Sequence, residues 1–406
     1  MRALIVTPHP PFPAQQGAAL RNLGILHSLF QSGGRVTLLT FCDSVPEQPP
    51  DRLAELCERV VYVPIPPRPM ADRLRDLALS GSPDLARRLY SENFVAQLTA
   101  LLSGQTFDLV QFEGLEVAAY LPLVRAAQPR AVLVYDAHNA EFALQRSMAQ
   151  VEGMSMWRLP AALYSRTQVR RIMRFERSIC EQANGVIAVS PEDASHLCQL
   201  GMKTPVFTLP NGIFTEDYAS SDNRLELTGI PLVFTGKMDY RPNVDAIQWF
   251  AEAIFPDIRA RHSSASLYVV GQAVHNKLLT LQESNPAIAF TGWVESVKPF
   301  LHHARVFVAP LRMGSGTRLK ILEAMAAGCA IVATTVAASG LDAAAHEALI
   351  LADKAADFSA AVNHLIEDSA ACQKLSATAR QFVRDRYDWS VLAPQLKRIY
   401  VELGVE

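Results

Sequence analysis

The chain has 406 residues, half of them hydrophobic, and its 38 Lys and Arg nearly balance its 40 Asp and Glu. This length favours two domains of about 200 residues, each with enough apolar residues for its own core. The balanced charge argues against nucleic acid as a partner. Six cysteines form neither a CxxC pair nor a zinc-site pattern, which favours a reducing, cytoplasmic compartment.

The sequence predicts neither a membrane-spanning segment nor a signal peptide. The first predicted strand, Ala3–Thr7, is too short for a signal-peptide core. The apolar run Ala324–Ala338 is broken by Gly328 and two threonines, so it is interpreted as a helix end followed by a strand.

Short apolar segments alternate with helical patterns through the first half of the chain. The predicted strands are Ala3–Thr7, Val36–Thr40, Val60–Val63, Asp108–Phe112, Ala131–Tyr135, Gly185–Ser190 and Val206–Leu209. This alternation predicts right-handed crossovers and a doubly wound parallel sheet.

A second series of strands predicts a second parallel sheet. Its members are Leu232–Thr235, Leu267–Gly271, Ile288–Thr291, Val306–Ala309, Ala330–Thr334 and Ala348–Leu351. The Pro-Asn-Gly turn within Leu209–Tyr218 marks a linker between the two series. We therefore expect domains at 1–210 and 211–385, with a last segment, 386–406, that forms a helix.

The stretch Leu311–Gly340 carries the clearest chemical signal. It combines a glycine-rich turn, Met313–Thr317, with a helix that places Lys320 and Glu323 on one face. Turn amides, a helix N-terminus, Arg318 and Lys320 would together hold a phosphate or diphosphate, and Glu323 could accept hydrogen bonds from a ribose. The alternative is an ordinary helix with a Lys320–Glu323 surface pair.

In the first domain, polar side chains follow the strand Ala131–Tyr135. Asp136, His138, Asn139 and Glu141 stand at its carboxyl end, where open parallel sheets bind ligands. A structural role for the lone histidine is the alternative.

Two further features lie at the same predicted sheet edge. The loop Pro8–Gly17 leads into a helix that carries Arg21, and Glu113 follows another strand. Glu113 is either an acceptor-side residue or a cap of the next helix.

In the second domain, the turn Phe234–Asn243 follows a strand. Gly236 permits close approach of a ligand, and Lys237 supplies a cation. Gly271 and Trp293 end two successive strands, where backbone groups could contact a nucleobase. A position in the core is the alternative for Trp293.

One helix carries a basic stripe. Arg166, Arg170, Arg174 and Arg177 recur at spacings of four, four and three residues. A solvated face is the ordinary interpretation, and contact with anionic lipid headgroups is the alternative.

With its GxGTRxKxxEAMAxG pattern, Leu311–Gly340 resembles the donor-site segment of family 4 glycosyltransferases of the GT-B architecture. The resemblance is strongest to the subgroup that includes exopolysaccharide sugar transferases linked to exosortase systems. Asp136–Glu141 and Thr235–Ala246 are similar to two more motifs of the family, DxHN(x)E and TGxMDYxPNVDA. Many members carry two glutamates in the donor segment. Glu323 matches the second, and Ser315 stands in place of the first.

The resemblance implies two Rossmann-like domains facing across a cleft that binds a nucleotide sugar, and a last helix that crosses back to the first domain. It implies transfer with retention of configuration and without a metal or other cofactor. Residues and resemblance together assign His138, Lys237, Arg318, Lys320 and Glu323 to catalysis, Gly17, Gly236, Gly271, Trp293, Gly314, Ser315, Gly316 and Thr317 to donor binding, and Arg21, Glu113, Asn139 and Glu141 to the acceptor side.

The resulting hypothesis is a glycosyltransferase of exopolysaccharide or cell-surface polysaccharide biosynthesis. Its partners would be a nucleotide-sugar donor, a glycan or lipid-linked acceptor, and the inner face of the cytoplasmic membrane as a peripheral contact. A GT-B nucleotide-sugar epimerase and an inactive nucleotide-sugar-binding subunit are the alternatives. A dinucleotide-dependent dehydrogenase is disfavoured because neither first loop contains GxGxxG.

Overall fold

The computed structural model describes the chain apart from residues 15–16, 71, 73–74, 77–79, 153–158, 221–224, 314–318 and 406. For 147–152, 159–166, 276–277 and 343 it describes the backbone alone. The chain divides into two compact units. The first comprises Met1–Pro210 with Leu392–Glu406, and the second comprises Asn211–Val391.

The first unit is built on a seven-stranded parallel sheet with the order β3-β2-β1-β4-β5-β6-β7. Its strands are β1 Arg2–Thr7, β2 Arg35–Cys42, β3 Arg59–Pro64, β4 Leu109–Glu113, β5 Val132–Ala137, β6 Gly185–Ala188 and β7 Val206–Thr208. Consecutive residues of β4 and β6 are all buried, which requires cover on both faces of the sheet. The predicted doubly wound sheet is confirmed.

Helices connect these strands. They are α1 Gly17–Gln31, α2 Asp51–Leu56, α3 Asp84–Arg88, α4 Glu92–Gly104, α5 Leu115–Ala118, α6 Leu121–Ala127, α7 Glu141–Glu152, α8 Leu159–Gln182 and α9 Pro191–Cys198. The sequence marks two of the starts clearly. Ser91 accepts a hydrogen bond from the Phe94 amide at α4, and Ser190 accepts one from the Asp193 amide at α9.

The second unit contains a six-stranded parallel sheet with the order β10-β9-β8-β11-β12-β13. Its strands are β8 Ile230–Thr235, β9 Ala265–Val270, β10 Ile288–Phe290, β11 Val306–Ala309, β12 Ile331–Ala333 and β13 Ile350–Leu351. Its helices are α10 Arg241–Trp249, α11 Phe255–Arg261, α12 Asn276–Ser284, α13 Lys298–His303, α14 Leu319–Ala327, α15 Ala355–Glu367 and α16 Ser369–Tyr387, with a π-helical segment at Phe250–Ile254 and 3₁₀ turns at Thr215–Tyr218 and Ala343–Glu347. The second predicted sheet is also confirmed.

The last helix, α17, spans Trp389–Glu402, and from Leu392 onward it belongs to the first unit. Leu392 and Leu396 of the predicted apolar stripe are fully buried, and Ile399 is nearly so. Among the described residues, no helix has the length and apolar character needed to cross a membrane.

Both sheets reverse their strand order once, which determines where a ligand can enter. The reversal lies between β1 and β4 in the first unit and between β8 and β11 in the second. At such a point the loops leave adjacent strands in opposite directions and open a crevice beyond the carboxyl ends. The candidate residues should therefore gather at the ends of these four strands.

Substitutions of Gly271 and Gly292 can be compared to test the backbone geometry at the carboxyl edge of the second sheet. A Cβ on Gly271, at φ 147°, would lie 1.9 Å from the Gly236 carbonyl oxygen, whereas Gly292, at φ 68°, has no such neighbour within 4 Å. Gly292→Ala should cost about 1 kcal/mol from its positive φ. Gly271→Ala should cost about 1 to 3 kcal/mol more, because the backbone must also move.

Urea unfolding of the full chain, followed by circular dichroism, measures both variants. Equal losses of stability would show that the close approach of Gly271 to Gly236 is not a constraint.

Candidate active site

At the edge of the first sheet, two carboxylates are buried side by side. Glu113 of β4 and Asp136 of β5 are register partners, and both side chains are completely inaccessible to solvent. Arg21 of α1 donates from Nε and Nη2 to the two oxygens of Asp136, each at 2.8 Å. Its Nη1 donates to the carbonyl oxygens of Leu209 and Pro210. Arg21, predicted on the acceptor side, is thus buried and held by Asp136.

His138 lies against the second carboxylate. Its Nε2 is 3.1 Å from Glu113 Oε2, and its side chain remains 18% exposed. Burial lowers the pKa of His138, but the hydrogen bond to Glu113 and the charge of Asp136 outweigh it, so the pKa is raised. Burial, with a contribution from Asp136, raises the pKa of Glu113 to about 7. The pair is therefore poised to hold or release a proton near neutral pH.

Glu113, Asp136 and His138 each place one possible ligand atom within 4.8 Å of the others. Both oxygens of Asp136 already accept from Arg21, and Glu113 accepts from Gln111 at one oxygen and contacts His138 at the other. The three side chains therefore form a hydrogen-bonded cluster and not an open set of metal ligands. Glu113 does not cap α5 either, because Gly114 occupies the N-cap without a side-chain bond.

The loop after β5 carries the other two acceptor-side candidates. Asn139 Nδ2 lies 3.4 Å from Glu141 Oε1, and burial raises the pKa of Glu141 to about 7. Glu176 of α8 accepts from the amides of Glu141 and Phe142, each at 3.0 Å, at the start of α7. The neighbouring helix thereby holds this loop against the sheet. Gly17 begins α1 at the same edge, beyond β1.

In the second unit, Lys320 reaches the carboxyl end of β8. Its Nζ is 2.8 Å from Asn243 Oδ1 and 4.1 Å from the centre of the Phe234 ring. A Cβ on Gly236 would lie 2.8 Å from the same ammonium. Asn243 also donates to the Lys237 carbonyl at 2.8 Å and so fixes the turn after the strand. The ammonium is thus held over a glycine at the point where the strand order reverses.

Glu323 follows Lys320 by one helical turn and is partly buried. Tyr218 donates its hydroxyl to Glu323 Oε1 at 2.8 Å, and Lys298 Nζ lies 4.9 Å from the centre of the Tyr218 ring. Burial raises the pKa of Glu323, although the bond from Tyr218 and the charge of Lys320 act against this shift. A carboxylate acceptor is therefore held beside the cation.

The remaining predicted donor residues differ in their exposure and in their partners. Lys237 is exposed and pairs with Asp239 at 3.3 Å. Trp293 is 60% exposed, so the alternative of a core position is wrong. Gly271 contacts the Gly236 backbone and forms a bridge with Gly292. The predicted phosphate turn, comprising Gly314, Ser315, Gly316, Thr317 and Arg318, lies outside the described residues.

Sequence reasoning missed the residues that support these side chains. Asn243, Phe234 and Tyr218 hold Lys320 and Glu323 from positions at least 77 residues away. Asn243 had a usable signal, because it follows a Pro in the first turn of a helix next to Gly236. Tyr218 had none, since it lies in the predicted linker.

Two family models match the chain. The model described as glycosyl transferase 4-like domain matches residues 16–212, and the model described as glycosyl transferases group 1 matches residues 230–368. A phosphatidyl-myo-inositol mannosyltransferase of Mycolicibacterium smegmatis is 30% identical over 232 residues, which are 54% of this chain and 58% of that protein. The matched segment thus spans little more than half of this relative.

Two solved structures show the same fold over nearly their whole length. Sucrose-phosphate synthase from Thermosynechococcus elongatus has a TM-score of 0.73 at 18% identity, with coverage of 100% of this chain and 99% of that one. Anabaena HepE, crystallised with UDP and glucose, has a TM-score of 0.67 at 14% identity, with coverage of 98% and 99%.

Glu176 makes the stability of the first unit depend on pH. Its burial raises the pKa to about 8 from an ordinary 4.5, so the folded chain binds more protons than the unfolded chain between these values. Stability is full below about pH 4.5 and falls as pH rises towards 8. Glu176→Gln should reduce this slope, because that side chain cannot lose a proton.

Thermal unfolding midpoints of both proteins from pH 5 to 8.5 test this expectation. At pH 5 the carboxyl of Glu176 is protonated and, like the amide of the variant, offers one carbonyl acceptor, so the two midpoints should be similar there and should separate as the pH rises. A slope identical to that of the wild type would contradict the assignment.

Proposed function

We propose that this chain, which belongs to the group 1 glycosyltransferases with the GT-B fold, transfers a sugar from a nucleoside diphosphate sugar to a hydroxyl of a glycan or lipid-linked glycan. The single observation that supports this most is Lys320, held by Asn243 and Phe234 above Gly236 where the second sheet reverses its strand order. A diphosphate is the ligand that suits a fixed ammonium beside exposed backbone.

In this proposal the second unit binds the donor. Lys320 and Lys237 contact the diphosphate, and Arg318 with the turn Gly314–Thr317 completes the contact. Glu323 accepts hydrogen bonds from the ribose, while Gly271 and Trp293 border the nucleobase. Because the ammonium of Lys320 is held in place before the ligand arrives, it stabilises the charge that develops on the leaving diphosphate without reorganisation.

The proposed reaction is a substitution at the anomeric carbon with retention of configuration. The bond between the anomeric carbon and the phosphate oxygen breaks, and the acceptor oxygen bonds to the same face of the sugar. The acceptor proton passes to the departing phosphate oxygen. Ser315 stands where many members of the family carry a glutamate, which leaves no obvious enzymic nucleophile, and this scheme uses none. We propose that His138 hydrogen-bonds the transferred sugar.

Acceptor recognition is proposed for the first unit. Asn139, Glu141 and the start of α1 at Gly17 would contact the acceptor. Arg21 and Glu113 would act indirectly, because Arg21 bonds to Asp136 and Glu113 contacts His138. A lipid-linked acceptor and a role in cell-surface polysaccharide synthesis follow from the subgroup resemblance. The name of the mycolicibacterial relative, which includes a phosphatidyl-myo-inositol acceptor, supports a lipid as well.

Calorimetric titration of UDP, GDP and ADP without metal tests the donor site. UDP is the first choice, because HepE was crystallised with it. Lys320→Met should weaken binding about 10- to 100-fold, the worth of a hydrogen bond to a charged group. Glu323→Ala should weaken it as well. Lys374→Met, an exposed lysine of α16, is the matched control and should bind like the wild type.

If no nucleotide binds, or if Lys320→Met binds as tightly as the wild type, the proposed donor site is wrong. Release of UDP with transfer of the sugar distinguishes a transferase from the two alternatives. An epimerase would convert the sugar, and an inactive subunit would bind the donor without turnover.

We also propose peripheral contact with the cytoplasmic face of the membrane through the basic stripe of α8. Arg170, Arg174 and Arg177 are exposed, while Ile172 and Ile179 on the other side of the helix are buried. Arg177 pairs with Glu181 at 2.8 Å, and the side chain of Arg166 lies outside the described residues. Arg170 and Arg174 can therefore meet a surface without loss of core packing.

Flotation with phosphatidylglycerol vesicles should recover the chain, and pure phosphatidylcholine vesicles should not. Arg170→Ser with Arg174→Ser should weaken recovery roughly thirtyfold, since each arginine near an anionic surface is worth about 1 kcal/mol. The double variant Arg59→Ser with Arg384→Ser removes the same charge elsewhere and serves as the control. Equal flotation of both double variants would assign the stripe to a solvated face.

A further inference from the structure

We propose that Tyr400, Gln111 and Glu113 are positioning residues for His138, joined to it in one buried hydrogen-bond chain that begins on the last helix. The inference rests on the proposed function, in which His138 contacts the transferred sugar. The position and protonation of the ring are nevertheless properties of the first unit and can be measured without turnover.

Each link of the chain has short, directional geometry. The Tyr400 hydroxyl donates to Gln111 Oε1 at 2.7 Å, and Gln111 Nε2 donates to Glu113 Oε1 at 2.7 Å. Glu113 Oε2 then lies 3.1 Å from His138 Nε2. Tyr400, Gln111 and Glu113 are all buried, so water does not compete for these bonds.

This series of hydrogen bonds determines which atom of each side chain carries a proton. Because an ionised carboxylate can only accept, the amide nitrogen of Gln111 must face Glu113, and its oxygen then faces the Tyr400 hydroxyl, which donates to it. A carboxylate is an acceptor, so Glu113 Oε2 favours a proton on His138 Nε2. The ring is then neutral with its lone pair on Nδ1, or cationic with protons on both nitrogens. Glu113 therefore selects the tautomer. Gln111 and the buried Asn22, whose amide nitrogen donates to Glu113 Oε2 at 2.9 Å, hold the carboxylate in orientation.

Several charges surround the ring and contribute to its protonation. Glu113 and Asp136 raise the pKa of His138, while Arg21 lowers it. Glu141, across the loop, is coupled to His138 as well. Removal of the Glu113 charge should therefore lower the pKa of the imidazole, because the nearest group that favours the cation is lost.

Tyr400 connects the last helix, α17, to the hydrogen bonds that hold His138. Its ring is buried on α17 beside the buried Leu396 and Ile399, so the hydroxyl has little freedom to move. The residue with which it bonds is 289 positions earlier in the chain. The helix α17 thus does more than cover the sheet, because it supplies the first hydrogen bond of the series that ends at His138.

The experiment is NMR of the full chain with ¹⁵N-labelled histidine, followed from pH 5 to 9. The His138 signals are assigned by their loss in His138→Gln. In the wild type we expect the Nε2–H tautomer above the pKa of the ring. Glu113→Gln should lower that pKa by about one unit or more and shift the tautomer ratio. Tyr400→Phe, which removes only the hydroxyl, should shift both in the same direction by a smaller amount.

Tyr62→Phe is the matched control. Its hydroxyl is buried in the first unit and has no hydrogen-bond partner among the described residues, so its removal should leave the His138 signals unchanged. Thermal unfolding midpoints of all the variants separate a local effect from a loss of fold. If Glu113→Gln and Tyr400→Phe are folded and retain the wild-type pKa and tautomer of His138, the proposal is wrong.

Kinetics provide the second readout. With a transferable donor in hand, kcat of Glu113→Gln should fall about tenfold or more, the size of effect seen when the partner that orients a metal-binding histidine is removed. Its pH profile should shift with the pKa of His138, and a merely structural role would not move that profile. If no donor is turned over, the proposed function fails while the NMR result still decides the hydrogen-bond chain.

Discussion

The first unit depends on the neutralisation of two carboxylates buried side by side. Glu113 and Asp136 are register partners on adjacent strands and are inaccessible to solvent. Two like charges in such a place are costly unless cations and hydrogen-bond donors surround them. Arg21 supplies the cation, and by also bonding to the carbonyls of Leu209 and Pro210 it ties α1 to the end of the sheet. Both the fold of the first unit and the proposed role of His138 therefore require that the buried charges of Glu113 and Asp136 be compensated.

In the second unit, the corresponding constraint is that one cation, Lys320, lies close to the backbone of Gly236. Gly236 leaves room for the ammonium of Lys320, and Gly271 leaves room for Gly236 in turn. Asn243 and Phe234 hold the ammonium by a hydrogen bond and by the face of a ring. Two glycines that directly follow neighbouring strands thus matter as much to this edge of the sheet as the lysine itself.

The strands were predictable because buried parallel strands are short, apolar runs bounded by turns, as in Val306–Ala309, where prediction and structure coincide. The helix that carries Lys320 was predictable from the local sequence pattern. Its support by Asn243 was not, because a hydrogen bond across 77 residues depends on tertiary placement and leaves no local pattern. Arg21 illustrates the same limit, since nothing near it in the sequence reveals that Asp136 holds it in the interior.

The bond between Tyr400 and Gln111 also bears on how the protein is made. Residues 1–351 contain all thirteen described strands, so every strand of both sheets is synthesised before Tyr400. Until then the amide oxygen of Gln111 lacks the hydroxyl that donates to it. A chain interrupted by a stalled ribosome or a frameshift would carry both sheets with His138 unsupported. The support of His138 by the last helix is thus added only after every described strand of both sheets has been made.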